Sequence, residues 1–211
     1  MNDMDDMGEF QYTPRLTSAC CYGSLDEVCR LLKLDGVDLN ERHDDWNCAS
    51  MMTGELDVVR ELLKHDMVDM NATEYFDTTA LINACCNDHV DVVVELLNHD
   101  KVDVNAKRKD GNTALSSASV NGHLDVVCEL LNHDNVDVNA RNDYGNSALI
   151  RASLCGHVDV VCDFLNHDKV DVNARNTTDG NTSLIEAIRS CHVNFFSSFS
   201  KIKGWIWIQE I

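Results

Sequence analysis

LLNHDKVDVNA at residues 96–106 returns as LLNHDNVDVNA at 130–140 and as FLNHDKVDVNA at 164–174, a period of 34 residues. A fixed period of roughly 20 to 50 residues marks stacked supersecondary units, each burying its apolar face against its neighbours. The search for function therefore moves from a catalytic cleft to a repeated surface.

Residues 110–140, DGNTALSSASVNGHLDVVCELLNHDNVDVNA, hold one complete unit. Thr113 is placed to cap a first helix carrying Leu115 and Ala118, and Gly122 supplies the permissive backbone that ends it. A second helix starts near His123 or Leu124. Leu124, Val127, Leu130 and Leu131, with Val126 alongside, give it one apolar face, while Asp125 and Glu129 face solvent. Asp125 also lies in the first turn, where a carboxylate complements the helix dipole. Val136 and Val138 then alternate towards a polar stretch, and Asp110-Gly111 stands in the equivalent place of the preceding unit, a pattern that predicts a short hairpin finger.

Helix, Gly turn, helix, VDVNA finger and a G-x-T opening together resemble the ankyrin repeat, with TAL or SAL in place of the usual T-P-L and HDxVDVN in place of GADVN. The resemblance covers about 13–193 and predicts an all-α solenoid of helix-turn-helix units with β-hairpin fingers, five to six repeats in all. The units run about 13–40, 41–72, 73–106, 107–140, 141–174 and 175–193. An acidic lead, 1–12, precedes them and a hydrophobic aromatic tail, 194–211, follows. Asn40 to Asn71 spans 31 residues, and DDWNCASMMTGELDVV lacks the T-A-L positions, so the second unit is expected to have a shortened or distorted first helix before an intact second one at 56–63. In the third unit Asp77 and Asp88 stand where glycines are expected. The sixth keeps Gly180, Thr182, Leu184 and Ala187 and then leaves the pattern.

The formal charge of −19, from 36 acidic and 17 basic residues, disfavours binding to a phosphate backbone, so no nucleic-acid partner is expected. The opening MNDMDDMGEF lacks the basic and apolar regions of a secretory signal. The expectation is a cytoplasmic or otherwise intracellular chain, the nucleus included, whose ten cysteines stay reduced. His65, His99, His133 and His167 form a column, but equivalent positions in stacked helices lie on the order of 10 Å apart, too far to share one Zn. They are read as caps of the second helices. Cys29, Cys128 and Cys162 share a position with Val94 and Arg60, which predicts a partly exposed helix face. Cys20-Cys21 and Cys85-Cys86 lack C-x-x-C spacing. No nucleophile elbow, zincin, P-loop or dinucleotide motif is present, so no enzyme, metal or cofactor is expected.

Packing demands recur in every unit, so positions that change between units point to function. They fall in the fingers, at 42–46, 73–76, 107–110, 141–144 and 175–178, and at first-helix ends, Cys86-Asn87, Val120-Asn121 and Leu154-Cys155. In ankyrin repeats these stretches line the concave face that grips partners. Carried over, this implies a protein–protein interaction surface of Trp46, Tyr75, Phe76, Lys107, Lys109, Val120, Asn121, Arg141, Tyr144, Leu154 and Arg175. Aromatics beside arginines are typical interface anchors, and the basic strip predicts an acidic or phosphorylated protein partner. Ala at Tyr75, Lys107, Arg141 and Tyr144 is expected to abolish capture without lowering stability. Asn71, Asn105, Asn139 and Asn173 resemble sites of asparaginyl hydroxylation in ankyrin domains, although tight turns bonding their own backbone account for asparagine there. The tail has three readings: a hydrophobic cap, an interfacial membrane or partner-binding segment at 195–211, or sequence foreign to the array. The alternative function is thus a membrane-associated adaptor; a monomer is expected in either case.

Overall fold

Thr113 caps helix α6 (Ala114–Asn121) in a reciprocal box: the Ser116 amide donates to the Thr113 hydroxyl oxygen and the Thr113 amide donates to Ser116 Oγ at 2.8 Å. Gly122 closes the helix at φ 77°, in the left-handed region, and α7 (Leu124–Asn132) begins after His123. A single hydroxyl cap opens α4 (Ala80–Cys86), where Thr79 accepts from Ile82 N, and α8 (Ala148–Cys155), where Ser147 accepts from Ile150 N; α5 (Val90–Leu97) and α9 (Val158–Asn166) follow them as second helices. The first unit holds α1 (Leu16–Cys21) and α2 (Leu25–Leu31), the second α3 (Leu56–Leu63), and the sixth α10 (Ser183–Arg189). This computed structural model describes residues 16–34, 40, 54–73 and 76–190. The acidic lead, the expected distortion before α3, Trp46, Tyr75 and the aromatic tail lie outside them.

First helices pack in one row, α4 on α6, α6 on α8 and α8 on α10, and second helices in another, α2, α3, α5, α7 and α9. Between the rows runs a single core in which Leu115, Ala118, Val126, Val127 and Leu130 are at most 2% exposed. Each such Leu or Val contributes about 1.5–3 kcal/mol of burial. Asp91, Asp125 and Asp159 sit exposed in the first turns of α5, α7 and α9, so part of the chain's acidity is a repeated solvent face. The Cys29, Val94, Cys128 and Cys162 column is half-buried and Arg60 exposed, as expected of a helix edge.

The D-x-N of the recurring stretch has two separate tasks. Asp69, Asp103, Asp137 and Asp171 each accept, through Oδ1, the amide of the asparagine two residues on, bracing their own turn. The asparagine side chain then reaches into the next unit. Asn71 Nδ2 donates to Lys101 O at 2.6 Å while Asp103 N donates to Asn71 Oδ1 at 2.7 Å. Asn105 clasps Asn135 and Asp137 in the same way, and Asn139 clasps Lys169 and Asp171. The expectation that these asparagines bond their own backbone is thus corrected: the aspartate does so and the asparagine joins units. Asn40 makes the clasp with Met67 O and Asp69 N, across 27 and 29 residues where the later ones span 30 and 32. The clasp and the second helix of unit two are therefore kept although the unit is three residues shorter.

Two rows of histidines also bind neighbouring units. His133 and His167 follow α7 and α9 as the expected caps, but the His133 ring reaches back, its Nε2 donating to Leu97 O at 3.1 Å. The second row, His89, His123 and His157, precedes the second helices. His123 Nε2 donates to Cys86 O at 3.0 Å and His157 Nε2 to Val120 O at 2.8 Å, so each ring caps the preceding unit's first helix. The 34-residue spacing of this row is visible in the sequence. The expected glycine substitutes behave as such: Asp77 and Asp88 take φ of 56° and 61°.

The fingers differ from the expected strand ladder. Among the described residues the only β pairing is an isolated antiparallel bridge, Arg141 with Ser147. Val136 and Val138 belong to the turn after α7, with Val136 N donating to His133 O at 3.2 Å. The fingers of units four and five are tight loops each closed by two backbone bonds, Arg108 N to Asn112 O with Gly111 N to Arg108 O, and Asn142 N to Asn146 O with Gly145 N to Asn142 O.

Asn105→Ala removes one clasp, that is two hydrogen bonds, and is expected to lower unfolding free energy in urea by about 2 kcal/mol, whereas Ala at exposed Asn132 shifts it by less than about 0.5 kcal/mol. A Cβ on Gly122 would stand 2.4 Å from His157 Nδ1 and at positive φ, so Gly122→Ala is expected to cost at least about 1–2 kcal/mol by the same measurement.

Candidate partner-binding surface

The fingers form their own row beside the first helices, joined tip to tip by backbone bonds. Lys109 N donates to Phe76 O at 2.9 Å, Asp143 N to Asp110 O at 3.2 Å, and Thr177 N to Tyr144 O at 3.1 Å. These bonds use main-chain atoms alone, so any side chain can occupy the tips. Phe76 is 55% and Tyr144 60% exposed, although aromatic area left in water forgoes the main stabilising term of folding. Phe76 also takes φ 73°, a conformation that opposes its own Cβ.

The expected basic strip exists, and much of it is tied down. Lys107 Nζ donates to Arg141 O at 3.1 Å, Arg141 Nη1 to Arg175 O at 2.8 Å, and Arg175 Nη1 to Gly180 O at 2.9 Å. Each cation staples its finger to a main-chain carbonyl further along, yet each remains exposed. Ala at Lys107 and Arg141 would therefore remove staples as well as charge, against the expectation of an unchanged stability. Lys109 is exposed with no side-chain bond among the described residues.

At the first-helix ends, Asn121 Nδ2 donates to Cys86 O at 3.1 Å and Val120 O receives His157, so both belong partly to the stack. Leu154 is half-buried at the end of α8. Phe76 and Lys109 come together around one cavity of about 330 Å3, with Arg108 and Asp110 of the same 107–110 finger. The carboxamides of Asn71, Asn105 and Asn139 are each engaged at both ends, so an oxidising enzyme would have to open a clasp to reach them.

Among the described residues no group of three or more His, Cys, Asp or Glu side chains could hold a metal ion, and no helix is long and apolar enough to cross a membrane. Among the described residues Cys29, Cys85, Cys128 and Cys155 are thiols outside any disulfide. Burial raises the Cys128 thiol to about 11, helped by its hydrogen bond to the Asp163 carboxylate and by the charges of Asp163, Asp125 and Glu129. Cys85 is raised well above the ordinary thiol range by burial.

Two family models match this repeated architecture: ankyrin repeats, in three copies, over residues 46–142, and a further ankyrin repeat over 144–177. The chain belongs to the ankyrin repeat family. Among solved structures, the crystal structure of EF0377, an ankyrin repeat protein, superposes with a TM-score of 0.80 at 20% identity, covering 89% of this chain and 97% of that one. At that identity the likeness speaks for the ankyrin fold alone. No curated protein matches the sequence. Ankyrin repeats are in general protein–protein interaction modules, and the exposed finger tips are where this one varies.

With its thiol near 11, on the order of a thousandth of Cys128 is thiolate at pH 8. Iodoacetamide on the native protein is expected to modify exposed Cys155 well ahead of Cys128, whose labelling should climb about tenfold per pH unit up to pH 10, as read by peptide mass spectrometry.

Proposed function

We propose that the chain is a non-catalytic scaffold or adaptor that binds a partner protein on the face made by its fingers and first helices, concave in the manner of ankyrin repeats. The observation that carries this reading is the contrast within one row. Main-chain bonds hold the tips in identical fashion, while Phe76, Lys109 and Tyr144 differ from unit to unit and point largely into solvent. Packing has no use for that variation, and exposed aromatics beside a cation are the usual anchors of interfaces. Arg141 and Arg175 extend the surface along the row with the donors their staples leave over, and Val120, Asn121 and Leu154 form its floor. Trp46 and Tyr75 would lengthen it at the other end. Binding needs no cofactor, and an acidic partner is favoured because this row is basic on an otherwise acidic chain.

The triple variant Phe76→Ala, Lys109→Ala, Tyr144→Ala leaves every staple and clasp in place. It is expected to melt within about 0.5 kcal/mol of the native protein and to lose at least about tenfold in partner capture. A photo-crosslinker at residue 144 should join the same partner, and one at exposed Glu129 on α7 should not. Undiminished capture by the triple variant would overturn the assignment.

A further inference from the structure

The loop of each finger closes in the same way: Arg108 N donates to Asn112 O at 2.9 Å, Asn142 N to Asn146 O at 3.1 Å, and Asn176 N to Asn181 O at 2.9 Å. The side chain at that first position is what changes. In the fifth unit Asn142 Oδ1 accepts the amides of Tyr144 and Asn146; in the sixth, Asn176 Oδ1 accepts those of Asp179 and Asn181. In the fourth unit Arg108, a pure donor, takes the place of the bracing acceptor. Asp110 does the bracing instead, accepting Asn112 N at 3.1 Å through Oδ1 and Asn112 Nδ2 at 2.7 Å through Oδ2.

Arg108 is thus released from the task its position has elsewhere, and the structure finds it no other. The side chain is half-buried, its Nε is buried without a hydrogen-bond partner, and its guanidinium makes no ion pair among the described residues. A buried unpaired guanidinium donor is destabilising, so a ligand that met it would relieve that cost. It lines the cavity of about 330 Å3 together with Lys109, Asp110 and Phe76. Across the cavity Phe76 and Asp77 take successive positive φ values of 73° and 56°, so the backbone is held in an uncommon conformation at the place where it presents the ring.

We propose that this cavity receives a carboxylate side chain of a partner protein segment, with a neighbouring apolar residue of that segment lying against the Phe76 ring. The inference rests on the reading of the finger row as a protein-binding surface. A guanidinium offers a planar pair of donors that matches a carboxylate, Lys109 adds a second cation at the rim, and the ring supplies the apolar half of the contact. Arg108 and Lys109 against Asp110 leave a formal count of one positive charge. That balance suits a carboxylate monoanion better than a phosphate dianion.

The test titrates three end-capped tripeptides, leucine–glutamate–leucine, leucine–glutamine–leucine and leucine–phosphoserine–leucine, into the full isotope-labelled chain while following the Lys109 and Gly111 amides. The glutamate peptide is expected to bind at least about tenfold more tightly than the glutamine peptide, and more tightly than the phosphoserine peptide. Arg108→Asn installs the residue that braces the next two fingers. It is expected to melt no lower than the native protein and to erase the glutamate preference. Equal binding of glutamate and glutamine peptides, a preference that survives Arg108→Asn, or tighter binding of phosphoserine would each overturn the proposal. Partner capture that persists in Arg108→Asn but is lost in the Phe76, Lys109 and Tyr144 triple variant would leave the finger surface standing and remove the carboxylate receptor alone.

Discussion

The carboxamides of Asn40, Asn71, Asn105 and Asn139 each bond a carbonyl and an amide of the following unit, and this two-point clasp sets the spacing on which the stack depends. One helix pair cannot bury its own apolar face, so a unit is stable only when a neighbour closes the core at the correct offset. Apolar contact alone is permissive about sliding; hydrogen bonds are not. The histidine rows reinforce the same offset by capping the helix ends of the preceding unit. Most polar residues of the recurring stretch therefore join units, and changing them is felt beyond their own repeat.

With the offset held by main-chain and clasp atoms, the finger tips need no particular side chains. The tip-to-tip bonds of Phe76, Lys109, Asp110, Asp143, Tyr144 and Thr177 involve only backbone, so the row tolerates aromatic, basic and acidic residues alike. Binding chemistry can then vary unit by unit without disturbing the core. Arg108 is the sharpest case, because it gives up a bracing role that Asn142 and Asn176 retain.

Much of this could be read before any coordinates. Thr113, Gly122, the apolar face of α7 and the intact α3 follow from helix periodicity and capping chemistry, which act within a few residues. The exposed finger tips were legible because their residues vary where packing residues do not. Three things were not legible. The Val136 and Val138 alternation suggested strand, but a two-residue alternation is also what a turn shows when it buries both valines. The staples of Lys107 and Arg141 join residues one period apart and that of Arg175 closes its own finger, and an exposed cation looks the same in sequence whether or not it meets a carbonyl. Arg108 did not stand out within the 107–110 finger, since only the bonds of Asn142, Asn176 and Asp110 reveal which role it lacks.

By itself the sequence determined the period, the helix pairs, the shortened second unit and the row of variable tips, because each arises from local chemistry repeated along the chain. Tertiary structure alone decided what the constant polar residues do. Asn105 could have bonded its own turn, yet Asp103 takes that bond and leaves the carboxamide for the next unit. A hydrogen-bond donor carries no mark of its acceptor in the sequence; stacking brings residues 30 and 32 positions apart within 3 Å, and that proximity assigns the partner.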